Sequence, residues 1–214
     1  MSGTEQRQQQ ITAHVERHLG PVTRVFRDDP GDMQIDVLHA APTSTRPVHT
    51  LITSGMSILP MQVPAGSDSP RHLELMMTLP QAWEPGESIQ DEQNWPVRQL
   101  QSLARYPHQR NSWLGWGDVV PNADPPRPLA RDTQLCGVII VPSLLVPTDF
   151  YELATGAQTV AFYGAVPLYK EEMAMKSREG MAPLLERLAD RGITDLIDLK
   201  RRNVAVRKRL FGLF

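Results

Sequence analysis

The order in which patterned stretches follow one another limits the fold more than any single motif does. Runs with the look of strands lie at Val22 to Phe26, Met33 to His39, Val48 to Ser54, His72 to Leu79, Leu135 to Val141 and Val160 to Val166. Helical spacing appears once at the start, once in the middle, and then repeatedly after Pro167. Strands first and helices gathered late give α+β, because an alternating α/β chain would interleave them. The expectation is a single globular α+β domain with a mainly antiparallel central sheet and flanking helices.

Individual stretches refine this. Met33, Ile35, Val37 and His39 alternate with Gln34, Asp36 and Leu38, which reads as a strand with one buried face. LCGVIIV at Leu135 to Val141 is apolar on both faces and reads as the most buried strand. Gly164 marks a candidate bulge, and Phe150 to Thr155 a helical turn ending at Gly156. Thr4 is a candidate cap for a first helix, whose Ile11, Val15 and Leu19 step by four until Gly20-Pro21 ends it. Late helices are expected over Tyr169 to Arg178 and from Met181 to Gly192. The tail, with Arg201, Arg202, Arg207, Lys208 and Arg209, reads as a solvated helix end; the alternative is a basic amphipathic helix meeting anionic membrane or acidic protein.

Composition excludes several classes. In 214 residues the hydrophobic content is 41%, enough for a core, and the net charge of −2 argues against a nucleic-acid binder, which needs a basic surface. Cys136 is the only cysteine, so no internal disulfide and no cysteine zinc site can form. No apolar run approaches the ~20 residues that span a bilayer, and the N-terminus MSGTEQRQQQ has no apolar signal core. A cytoplasmic protein without stable membrane insertion is expected.

No catalytic constellation emerges. His14 and His18 stand at i, i+4 without a third metal ligand. His72 and Glu74 share a strand face that reads as solvated. Ser54 and Ser57 flank Gly55, but a nucleophile elbow needs G-x-S-x-G. Asp28, Asp29 and Asp32 sit in a turn too compact for a calcium loop. No metal, catalytic residue or cofactor is expected.

The most informative stretch is WPVRQLQSLARYPHQRNSWLGWGDVVPN, from Trp95 to Asn122. Asn94 caps a helix with Pro96 in its first turn, and Val97, Leu100, Leu103 and Ala104 form its apolar face. Pro107 closes it at Tyr106. A loop then carries Trp113 and Trp116 around Gly115 and Gly117, followed by Asp118. The glycines are no phosphate cradle, since no Gly-Lys-Ser/Thr follows. Structurally, the tryptophans can be packing residues and Asp118 can bond its own loop.

Taken together, HVERHLG at His14, HTLITSGMSILPM at His49, the Trp95–Asp118 stretch, LCGVIIVP at Leu135 and VPLYKEEMAMK at Val166 resemble the suppressor-of-fused domain in its short bacterial form. The resemblance runs from about Ile11 to Val204, so residues 1–10 are read as a polar N-terminal extension, 11–204 as the domain and 205–214 as a basic, apolar tail. It implies a compact domain that binds protein. The animal member of the Hedgehog pathway grips an extended peptide of zinc-finger transcription factors between two lobes, and bacterial members have been proposed as immunity proteins in polymorphic toxin systems. The resemblance covers one lobe, so a two-lobe clamp is not carried over. Tyr106 and Asp118 match positions of the animal family's peptide-binding face; Trp113 and Trp116 stand where that form is less aromatic.

The resulting expectation is a non-catalytic binding domain for a protein, either a peptide segment or a toxin domain, with Tyr106, Trp113, Trp116 and Asp118 bordering one groove. The alternatives are a hydrolytic enzyme with an unrecognised carboxylate site and a housekeeping regulatory binding protein.

Overall fold

A four-strand antiparallel meander opens the sheet: β1 (Val22–Phe26), β2 (Asp36–Ala40), β3 (Val48–Ser54) and β4 (Leu73–Pro80). The second half adds β5 (Val119–Pro121), β6 (Leu135–Val141), β7 (Glu152–Thr155) and β8 (Gln158–Tyr169). β8 lies parallel to β4 and antiparallel to β6, giving the order β1-β2-β3-β4-β8-β6-β5, with β7 paired to the start of β8. Among these pairings only β4–β8 is parallel, so the mainly antiparallel α+β expectation holds. This computed structural model describes residues 3–29, 31, 33–156 and 158–206.

Alternation along the strands builds two apolar layers. Leu73, Leu75, Met77 and Leu79 of β4 face α2 (Trp95–Gln109), which contributes Val97, Leu100, Leu103 and Ala104. Met76, between them, faces the opposite side, where α1 (Gly3–Leu19) lays down Ile11, Val15 and Leu19. On that same side the far end of β8 turns Val166 and Leu168 to α3 (Lys170–Glu179) and α4 (Met181–Ala189). Each buried Leu or Ile contributes about 1.5–3 kcal/mol through surface removed from water. The two-sided burial expected of β6 is realised: Leu135, Val138 and Ile140 join the α2 layer, while Cys136 and Ile139 join the α3–α4 layer.

Several local expectations are corrected. β2 starts at Asp36, and all five of its residues are buried, so both faces are covered. The preceding segment stays irregular because its donors go to carboxylates: Ile35 N to Asp28 Oδ2 at 2.8 Å, and Asp28 N and Gln34 Nε2 to Asp36 Oδ1 at 3.0 Å each. Of the expected turn at 28–32, positions 30 and 32 lie outside the described residues. Pro107 lies inside α2, which runs on to Gln109. Asn94 does not cap α2 with its side chain, which bonds the backbone of Gly86 and Ser88 instead. Residues 152–155 form strand β7, not a helical turn, because the turn at Gly156 folds them back on β8. Gly164 is not a bulge; it is the point where β8 exchanges β4 for β6, and the irregularity lies in β6 between Leu135 and Gly137. Arg201 is not on a solvated helix. It is buried against Glu172 at 2.5 and 2.7 Å, and Glu172 also accepts from Tyr169 N and Val204 N, which clips the C-terminal stretch to the start of α3. Arg207, Lys208 and Arg209 lie outside the described residues. No helix among the described residues is long and apolar enough to cross a membrane.

Candidate protein-binding edge

Two places in the fold concentrate polar chemistry, and they differ in what they leave unsatisfied. The first is the turn after β3. Glu74, fully buried between Leu73 and Leu75, accepts from Gly55 N at 3.1 Å, Ser57 N at 3.0 Å, Ser57 Oγ at 2.7 Å and Thr53 Oγ1 at 2.5 Å. His72 and Glu74 are thus not a solvated face, and Ser57 is a ligand of a buried carboxylate. Burial raises the Glu74 pKa above the ordinary carboxylate range, and the donated hydrogen bonds offset only part of that rise. Gly55 is required here: its φ is +144°, and a Cβ would lie 2.3 Å from Gln34 O. The sequence signal for this knot was a lone Glu inside an apolar strand, which burial turns into a structural centre.

A second buried cluster is neutral. His49 Nε2 lies 3.2 Å from Gln81 O, so it carries the hydrogen there, and its Nδ1 accepts from His39 Nε2 at 2.8 Å. The indole of Trp83 stands edge-on to both rings. Burial, His49 and Arg24 pull the His39 pKa down to about 4. His14 is likewise packed away, with its ring against Phe150 and Phe162 and its Nε2 3.0 Å from Phe150 O.

The second place is the outer edge of the sheet. Among the described residues β5 is the last strand of the sheet and pairs only with β6. Ile140 N donates to Asp118 O at 2.9 Å, and Asn122 N to Cys136 O at 2.9 Å, so along β5 the inward-facing backbone groups are those in step with Asp118 O and Asn122 N, which are those of Val120. Val119 N–H, Val119 C=O and Pro121 C=O therefore point away from the sheet. The sequence reading did not assign this strand, because three residues ending in proline carry almost no periodic signal.

The loop leading into β5 is held at both ends. Leu114 is buried in the α2-side core, which turns its neighbour Trp113 outward at 38% exposure. Gly117 N donates to Ile140 O at 2.7 Å, with φ +85° and the α4 side chain Met181 against it. Between these anchors Trp116 is 60% exposed. Asp118 Oδ2 accepts from Gly115 N at 2.8 Å, so Asp118 does bond its own loop.

Trp116 and Asp118 line different hollows, and Tyr106 packs on the α2 side. Tyr106 is half-buried on the α2 side, with the Arg110 guanidinium 4.9 Å above its ring. Trp116 lines an apolar cavity of about 520 Å³, with Ile139, Val141, Leu185 and Leu188 as walls and Leu144, 73% exposed, at its rim. Asp118 lines a different hollow of about 430 Å³, between β5 and α3, together with Val119, Pro121, Lys170 and Lys176.

Comparison with known proteins places the fold. The chain is similar in structure to a protein described as a suppressor-of-fused homologue from Neisseria gonorrhoeae FA 1090, at 15% identity and TM-score 0.69, over 95% of this chain and 99% of that one. It is similar to Sufu in the crystal structure of the Sufu-Fu complex, at 18% identity and TM-score 0.64, over 94% of this chain and 92% of that chain. Drosophila Suppressor of Fused aligns at 19% identity and TM-score 0.56, over 80% of this chain and 42% of that one. No protein of curated function matches the sequence. The sequence pattern of the Suppressor of fused protein (SUFU) family matches residues 31–202, and the chain belongs to that family.

Proposed function

We propose that this domain is a non-catalytic protein-binding module of the immunity type, which neutralises a toxin domain or sequesters a protein partner. An extended partner segment pairs with the outer edge of β5, gaining main-chain hydrogen bonds from Val119 and Pro121. Trp113 and Trp116 serve as aromatic anchors beside it, and Tyr106 and Asp118 flank the contact. The observation that carries this reading is the outward-facing backbone of Val119, three residues along the chain from the exposed Trp116. Tryptophan on a surface supplies large contact area and is enriched among residues that dominate binding energy. That a relative of this fold was solved as the Sufu-Fu complex supports a protein as the ligand.

The test is affinity capture from the native cell, run beside Trp116→Ala, followed by co-expression of the captured protein with and without this domain. A partner held by the wild type and lost by the variant is expected, and its expression alone should arrest growth. Equal capture by both proteins overturns the binding face. A captured partner that harms no cell overturns the immunity role and leaves the binding module.

A further inference from the structure

We infer that the segment received at the β5 edge is acidic on the side that faces α3; this rests on the strand-addition reading above and names its partner's chemistry. Lys170, Met173, Ala174 and Ser177 stand at helical spacing on one side of α3 and line the hollow beside Val119 and Pro121, with Lys176 at its margin. The charges of α3 are otherwise committed. Glu171 accepts from Asn203, Glu172 is bound by Arg201, and Glu179 pairs with Arg178 and Arg187. Among the described residues neither Lys170 nor Lys176 has an anionic partner, and both line the hollow.

Charge and geometry then specify the occupant. The hollow carries two ammonium groups against one carboxylate, Asp118, whose Oδ2 is already held by Gly115 N. A strand laid on Val119 presents alternate side chains to α3, spaced about 7 Å apart. Asp or Glu at two alternating positions meets the flexible lysines, while a basic or polar residue suits the Asp118 end. Such rim pairs set orientation, rate and partner choice more than affinity. The occupant is an extended acidic segment of a protein, and a basic segment is disfavoured by like charge.

The experiment selects binders from a phage-displayed library of random octapeptides on the full chain, on Lys170→Glu/Lys176→Glu, and on Val119→Pro, which removes the outward N–H without touching the β6 ladder. All three should keep wild-type melting. Wild-type selection should enrich Asp or Glu at alternating positions, with binding that weakens several-fold as salt rises. The double charge reversal should switch the enrichment to Lys or Arg, and Val119→Pro should lose the peptides. Peptides that need the Val119 N–H but show no acidic bias, or keep it on the reversed protein, overturn the acidic partner and leave the edge reading standing. Peptides indifferent to Val119→Pro, or no enrichment at all, overturn the edge reading and this inference with it.

Discussion

In the turn after β3, four donors converge on the buried Glu74 carboxylate. At the outer edge of the sheet, β5 leaves a backbone N–H and two carbonyls facing outward, a few residues along the chain from a tryptophan that is 60% exposed. Both regions contain stretches that carry the resemblance to the family, HTLITSGMSILPM and WPVRQLQSLARYPHQRNSWLGWGD. Folding accounts for the first: remove Glu74 or Gly55 and the turn cannot close. Folding does not account for the second, since neither an exposed indole nor an unpaired edge stabilises the isolated domain. Burial and satisfaction, not motif membership, separate residues that build the structure from residues available to a partner.

The largest test of this contrast is Glu74→Ala. It strands four buried donors, each costing about 1–3 kcal/mol, so a loss on the order of 4 kcal/mol or more is expected in urea titration. Near-wild-type stability would erase the distinction between the two regions. Trp116→Ala should do the opposite. Its melting should stay within about 0.5 kcal/mol of wild type, while affinity for the captured partner falls by about 2 kcal/mol or more. A large stability loss would show that the indole packs rather than binds. Asp118→Ala is smaller, about 1.5 kcal/mol in affinity for a charge-assisted bond, with folding nearly intact; unchanged affinity by titration calorimetry removes Asp118 from the face.

The His39–His49 cluster sharpens the comparison from the buried side. His39 titrates near 4 in the folded chain against 6.5 as a free imidazole, so the unfolded chain binds more protons between those values. Its contribution is therefore complete above about pH 6.5 and is lost as pH falls toward 4, with a slope of at most about 1.4 kcal/mol per pH unit. Comparing urea midpoints of wild type and His39→Gln across that window isolates the slope; identical pH profiles would mean that the pair is not held neutral.

Long periodic runs were legible in the sequence. β3 and β6 were read to the residue, α1 by its Ile11–Val15–Leu19 stripe, and the α3–α4 pair by its apolar spacing. The start of β2 and the strands β5 and β7 were not. β2 has both faces covered, so its alternation pointed to a one-sided strand, and β5 and β7 are too short to show a period. At the site, the sequence singled out Trp113, Trp116 and Asp118 by composition around two glycines, but Val119 and the lysines of α3 were invisible, because they join the edge only through contacts made across the chain.

By itself the sequence determined the class of the fold, since hydrophobic period is a local property that survives without knowing its neighbours. Only the tertiary structure decided which polar residues are consumed and which are free. Glu74 and Arg201 looked as solvent-facing as Lys170 and Lys176, and what separates them is partners many residues away. A charge enters the interior only where distant donors or an opposite charge compensate its lost hydration, and those partners are assembled by packing rather than by sequence neighbourhood.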